Sequence, residues 1–346
     1  MKTILRQIAG IDVAQKELVV SLGRKNDDYA DEIYAYKVFT NNSKGFVELT
    51  NWVKKRSDPG CLIQFVMEAT GVYHERFAFF LKDNDHQVSV VLPNLISNFS
   101  RTLDVKTVND KTSSAAIAKF GLSRILDQWK RPDPVYKKLK QLSRELDQIV
   151  TERTVIKNQL HAEMVEAESN KSSLKRSKKH IAFLNKFYAE IKAEMDILIK
   201  SDDKVNESVS LISTIPGIGK LTVAIVLAET NGFEMIRNKS QLTSYAGLDV
   251  VEKQSGTSIK GKTRISKRGN RYLRKALHMP SLSGVRYNEK HKAIFVRLVS
   301  KHGIKMKALV AVQKKMLELM YALHKTQKPY DKNYTQAGIV RLQEVI

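Results

Sequence analysis

A chain of 346 residues with 42% hydrophobic and 27% charged residues carries enough apolar material for two or three cores, which excludes a disordered protein. Its 59 Lys and Arg against 36 Asp and Glu leave a formal net charge of +23, which calls for a polyanionic partner. No apolar run reaches the ~18 residues of a spanning helix, so nucleic acid is favoured over membrane. The N-terminal Met-Lys-Thr-Ile-Leu-Arg-Gln lacks the apolar core of a signal peptide. Cys61 is a lone cysteine, unable to form an internal disulfide or a cysteine zinc framework and expected as a small apolar residue. Both features predict a cytosolic, reducing location.

In chain order, residues 8–13, 17–22 and 32–39 read as three strands separated by polar turns. Residues 42–56 then read as a helix with Phe46, Leu49 and Val53 on one face and Asn41 or Asn42 as its cap. A continuous apolar strand at 62–67, a helix at 72–82, a strand at 87–92 stopped by Pro93 and a helix at 110–126 complete the unit. Three strands followed by helix, strand, helix, strand and helix is the order of an α/β ribonuclease-H-like domain, here residues 1–128. Pro132 and Pro134 mark its end, because neither is tolerated inside a helix. Beyond them Leu139, Leu142, Leu146, Ile149, Ile156 and Leu160 recur at three- and four-residue steps, interrupted only by Arg153, which is a coiled-coil period. A polar basic stretch at Lys171 to His180 separates this pattern from a second one through Leu184, Phe187, Ile191, Met195 and Leu198. The two helices form a helical coiled-coil linker at 129–205, folding back as a hairpin or pairing with another copy of the chain. A mainly α-helical domain is expected at 206–330, and 331–346 read as a tail.

Three acids stand at element ends. Asp12 closes the first strand in Gly10-Ile11-Asp12-Val13, Glu68 closes the fourth in Met-Glu-Ala-Thr-Gly, and Asp110 opens the last helix of the first domain. A carboxylate at the tip of a buried strand is costly unless it meets a cation or a turn, and hard divalent ions that assist phosphoryl transfer take oxygen ligands. Singly, each acid also reads as a turn former, a surface charge or a helix cap. Together, on this element order, they favour a metal site.

A second constellation lies near residue 255. From Lys253 to Lys275 there are nine Lys and Arg and no acid, including Lys260, Lys262, Arg264, Lys267, Arg268, Arg271 and Arg274; such a run grips phosphates. Ser255, beside Gly256, sits where an exposed backbone would let it approach a phosphodiester, although a serine with no marked His or Asp partner is more often a plain loop hydroxyl. Pro216-Gly217-Ile218-Gly219 is similar to the turn of a helix-hairpin-helix, in which Gly217 and Gly219 would offer backbone N–H groups to phosphate.

These pieces in this order resemble the insertion-sequence transposases of the IS110 type, relatives of the pilin-gene invertases and of bridge-RNA-guided recombinases. The anchors are G-I-D-V at 10–13, E-A-T-G at 68–71, K-T-V-N-D at 106–110, I-P-G-I-G at 215–219, Y-A-G-L at 245–248, Q-S-G at 254–256 and I-S-K-R-G-N-R-Y-L-R at 265–274. The resemblance implies a RuvC-like domain with four acids binding Mg²⁺, a coiled-coil linker and a C-terminal transposase domain with a nucleophilic serine. By position Asp12, Glu68 and Asp110 match three acids and Ser255 the serine, while the fourth acid, one helical turn after Asp110, falls on Ser113. It further implies donor and target DNA, a structured guide RNA and a homo-oligomer as partners. A metal-dependent nuclease or junction resolvase would need the acids without Ser255, and a non-catalytic nucleic-acid-binding protein would need neither. An actin-like ATPase would need a second glycine-rich loop, which the chain lacks.

Overall fold

The computed structural model describes residues 3–69, 71–103, 107, 109–252, 254–255, 259–261 and 263–334, with Ser255, Ile259 and Lys260 described by backbone alone. Lys262, Gly256 and the expected tail beyond 334 lie outside the described residues. The chain divides into two compact units, one ending at Arg131 and one beginning at Pro132.

The first unit is built on five strands, β1 (Ile4–Val13), β2 (Glu17–Asn26), β3 (Asp31–Thr40), β4 (Ile63–Glu68) and β5 (Gln87–Val91), in the order β3-β2-β1-β4-β5. The first three are antiparallel, and β4 and β5 join parallel to β1. This mixed α/β sheet is compatible with the expected ribonuclease-H-like order. Successive side chains on a strand point to opposite faces, and the sequence uses both. Ala9, Ile11 and Val13 join Phe65, Met67 and Phe77 under α1 (Ser43–Lys54) and α2 (Glu75–Asp83). Ile8 and Val66 instead meet Ile117, Ala118 and Phe120 of α4 (Asp110–Ser123).

Local chemistry sets the helix ends. Asn42 caps α1 by accepting a hydrogen bond from the Gly45 N–H at 2.9 Å, and Asn109 forms a capping box with Thr112 at the start of α4. The structure departs from expectation after β5. Pro93 does stop the strand, but it also begins an unforeseen helix, α3 (Pro93–Ser100), because a proline at the first helical position loses no hydrogen bond. The helix expected at 72–82 begins only at Glu75 and runs to Asp83.

In the second unit α5 (Pro134–Val165) and α6 (Lys171–Lys200) pack against each other as a hairpin. The basic stretch 171–180 is no interruption. It forms the first three turns of α6, since it holds no Gly or Pro, Lys and Arg are good helix formers, and Asn170 accepts from the Ser172 and Ser173 N–H groups. The seam is buried at Leu139, Leu142, Leu146 and Ile149, whereas Ile156 and Leu160 are half-buried and Phe187 is exposed and packs on Phe183. The buried part shares one core with α7 (Asp203–Ile212), α8 (Lys220–Thr230), α9 (Lys239–Tyr245), α10 (Arg271–Tyr287) and α12 (Lys305–Thr326). α11 (Glu289–His302) packs beside α10 and α12.

Candidate active site

Strand register brings the first two acids together. Ile11 of β1 pairs with Met67 of the parallel β4, so the next residues, Asp12 and Glu68, stand side by side at the end of adjacent strands and point to the same face. Gly10 shows which face this is. A Cβ at Gly10 would lie 2.5 Å from the Ser114 carbonyl oxygen and 2.6 Å from the Ala118 Cα, so α4 crosses β1 in backbone contact at that point. Two residues farther along β1, Asp12 faces the same way, and one turn earlier on α4 stands Asp110. The buried Ser114 hydroxyl, 2.8 Å from that of Ser21 on β2, holds the helix in this register. Lys111, next to Asp110, sits over the Tyr36 ring of β3 at 5.3 Å.

The electrostatics agree with this geometry. Burial pushes the Asp12 carboxyl up from its ordinary value, and the charge of Asp110 pushes it further. Burial likewise raises Glu68, with the Asp12 charge adding to it. Asp12 is therefore coupled to both of the other acids. Even so, among the described residues no group of three His, Cys, Asp or Glu side chains is drawn close enough to hold a metal ion. The donor set itself, all hard carboxylate oxygen with Asp12 and Glu68 half-buried and Asp110 exposed, fits Mg²⁺. Ser113 lies one turn after Asp110 on α4, half-buried, with its N–H bonded to the Asn109 carbonyl at 2.8 Å.

In the second unit Ser255 lies in a short strand rather than an irregular loop. β7 (Gln254–Ser255) pairs antiparallel with β8 (Ile259–Lys260), Ser255 opposite Ile259. A second ribbon pairs β6 (Val250–Val251) with β9 (Arg264–Ile265). Arg264, Lys267, Arg268 and Arg271 are exposed, and Lys267 adopts a left-handed φ of 54°. Arg274 differs from them: its Nη1 donates to the carbonyls of Ala246 at 2.8 Å and Gly269 at 3.2 Å, so its guanidinium is occupied in closing the loop. Ser266 is equally committed, its hydroxyl bonded to Asp249 at 2.5 Å.

The two glycines of the 215–219 turn also part company. Gly217 has a φ of 91° and a Cβ there would lie 2.8 Å from the Gly284 nitrogen on α10, so packing and backbone conformation explain it without a phosphate. Gly219 is exposed at the start of α8, with no capping side chain and nothing within 4 Å of where a Cβ would stand. Of the two, Gly219 is the one that leaves helix N–H groups open to an anion.

A residue that motif reading missed ties this region together. Glu229 on α8 is 1% exposed. Its carboxylate accepts from Arg144 Nε at 3.0 Å and Nη2 at 3.3 Å, and from the Asn270 side chain at 2.7 Å, with Lys140 Nζ at 3.7 Å. Its carbonyl accepts from the Tyr245 hydroxyl at 2.9 Å. Arg144 in turn sits over the Tyr272 ring at 4.8 Å. Asn270 caps α10 directly after the basic loop, so one buried acid fixes the base of that loop to α5. The available signal was the acid itself, placed in the otherwise apolar run Val-Ala-Ile-Val-Leu-Ala-Glu.

Comparison with known proteins gives the family. Residues 9–167 match the DEDD transposase family of IS110, and residues 209–295 match the family described as transposase IS116/IS110/IS902. The pilin gene-inverting protein of Moraxella bovis is 30% identical over 297 residues, spanning 85% of this chain and 90% of that one, and its counterpart from Moraxella lacunata aligns to the same extent. The transposase for insertion sequence element IS1111A of Coxiella burnetii is 29% identical over 136 residues, 38% of this chain and 37% of its own. With relatives matched over most of their length and family matches on both units, the chain belongs to the IS110 family of transposases and is a DNA recombinase.

Proposed function

We propose that this transposase cuts and rejoins DNA with two sets of groups, the acids Asp12, Glu68 and Asp110 on one unit and the Ser255 hydroxyl on the other. The observation that carries the reading is the register that sets Asp12 beside Glu68, on the face crossed by α4 with Asp110 at its start. Asp12, Glu68 and Asp110 would hold Mg²⁺, with Ser113 supplying a hydroxyl or a bound water in place of the fourth acid. The ion supplies charge neutralisation at the reacting phosphate and acidifies a coordinated hydroxyl. Ser255 Oγ attacks phosphorus, its proton passes to a carboxylate of the acid cluster, and as the P–O3′ bond breaks that proton is handed on to the departing O3′. This leaves a 5′-phosphoserine link and a free 3′-hydroxyl, and reversal on a second end rejoins the strands. Arg264, Lys267, Arg268 and Arg271 bind phosphates without reading bases.

The family resemblance supports sequence choice by a structured guide RNA that pairs with donor and target DNA, and action as a homo-oligomer in which one subunit's acids serve another's serine. The likeness to pilin gene-inverting proteins favours exchange between two DNA sites over simple cleavage. The test is metal-dependent strand exchange on a DNA substrate. Asp12→Asn is expected to reduce it by at least a hundredfold while leaving DNA affinity in the absence of Mg²⁺ unchanged or higher, at the magnitude typical of lost metal-ion catalysis. Unaltered exchange in that variant would refute the role of the acids.

Ser113 gives a gain-of-function test of the same site. Ser113→Asp adds a fourth carboxylate one turn from Asp110 and is expected to lower the Mg²⁺ concentration needed for half-maximal activity by roughly tenfold, the scale of one added ligand. A higher Mg²⁺ requirement would show that this position faces away from the ion.

A further inference from the structure

We propose that the exposed lysine stripe on the first three turns of α6, made of Lys171, Lys175, Lys178 and Lys179, is a docking surface for the phosphodiester backbone of a DNA duplex. It is a second contact, distinct from the basic run at 253–275. The inference rests on the reading of this chain as a DNA-acting transposase but not on Ser255 or the acid cluster.

Four observations support it. Residues 171–180 contain five Lys and Arg and no Asp or Glu. All five cations are exposed, and none forms an ion pair with a described acid, whereas the neighbouring His180 pairs with Glu152 at 3.1 Å. Their spacing puts the four lysines on one side of the helix, around a shallow groove of about 530 Å³ floored by Leu174 and Ala182. The stripe also stands clear of the core: the last buried seam residue of α5 is Ile149 and the first of α6 is Leu184, about 20 Å along the helix from Lys171 at ~1.5 Å per residue.

The position argues against a purely structural role. The start of a helix carries positive partial charge, so its first turn favours acids, yet Lys171 stands there. The first turn of α6 has no acid. A cluster of exposed cations with no acid partner among the described residues points to a partner outside the chain. The geometry suits a duplex backbone. From Lys171 to Lys179 the stripe is about 12 Å long at ~1.5 Å per residue, and one strand of a duplex presents a charge every ~3.4 Å of axis, so three or four phosphates fall within reach. The stiff helix would lie against a stiff polyanion with little ordering cost.

The test compares the full-length protein with the triple variant Lys175→Gln, Lys178→Gln, Lys179→Gln. Binding to a blunt DNA duplex of arbitrary sequence and to an RNA hairpin is measured across a salt series. At ~0.9 per phosphate contact, the slope of log K against log salt should become shallower by about 2.7 on the duplex that occupies the stripe. The change is expected with the DNA duplex, and a change confined to the RNA hairpin would overturn the proposal. A control of equal net charge, Lys186→Gln, Lys192→Gln, Lys200→Gln, lies farther along the same helix and should keep the original slope. Unchanged slopes on both polymers, or an equal change in the control, would overturn the proposal. Because the substituted side chains are exposed, the unfolding temperature should be unaffected. Covalent adduct formation reports separately on the proposed chemistry.

Discussion

Ser255→Ala is expected to abolish covalent protein–DNA adducts and strand exchange while leaving DNA affinity almost unchanged. The hydroxyl is the only protein group in the proposed scheme that must bond to phosphorus, so its loss leaves no slower route through the same intermediate. Affinity, by contrast, is a sum over many phosphate contacts, to which one small hydroxyl adds little. Ser266 offers an internal control. Its hydroxyl is bonded to Asp249, so Ser266→Ala should cost some stability and still form adducts. A denaturing gel on which Ser255→Ala retains the adduct would place the nucleophile elsewhere. Exchange that persists without any adduct would favour the alternative in which the acids activate water, as in a junction resolvase.

The second large effect concerns Arg144. The Glu229 carboxylate is buried, and Arg144→Ala removes its two-pronged partner, leaving Asn270 at 2.7 Å and Lys140 at 3.7 Å. Stranding a buried charge in this way costs about 3–5 kcal/mol. For a unit of this size each kcal/mol lowers the unfolding temperature by ~2–4 °C, so a fall of at least ~6 °C is expected by calorimetry. Adding Glu229→Gln to the same protein removes the stranded charge and should restore a large part of the loss. The double variant would then be more stable than Arg144→Ala alone, and a simple sum of the two single effects would contradict the argument. Because Asn270 both bonds Glu229 and caps α10, the single variant should also loosen the basic loop and weaken DNA binding.

The legible parts of this protein are those where one short-range pattern decides the outcome. The strands of the first unit announce themselves because both faces of the sheet are covered, which demands apolar residues such as Ile8, Ala9 and Ile11 in succession. Asp12 and Glu68 stand out for the same reason, as charges at the ends of apolar runs. What pattern could not supply was register. That Ile11 meets Met67, and so Asp12 meets Glu68, depends on pairing between segments more than fifty positions apart.

Other features were hidden because their role depends on what surrounds them. Arg274 looks like its neighbours in the basic run, and only the carbonyls of Ala246 and Gly269 make it a structural residue. Gly217 and Gly219 share one motif, yet one is packed on Gly284 and the other faces open space. Residues 171–180 have no apolar periodicity to betray a helix, because no face of them is buried deeply enough to require it. α3 was concealed behind Pro93, which ends a strand and starts a helix with equal ease.

The contact between Gly10 and α4 also has a meaning for the gene. Glycine is the only residue without a Cβ, and here a Cβ would collide with the helix backbone at Ser114 and Ala118. Every missense change in that codon therefore inserts a wedge between β1 and the helix that carries Asp110. A copy of the gene that no longer encodes glycine here would lose the seat of Asp110 against β1, whatever the rest of its sequence retains.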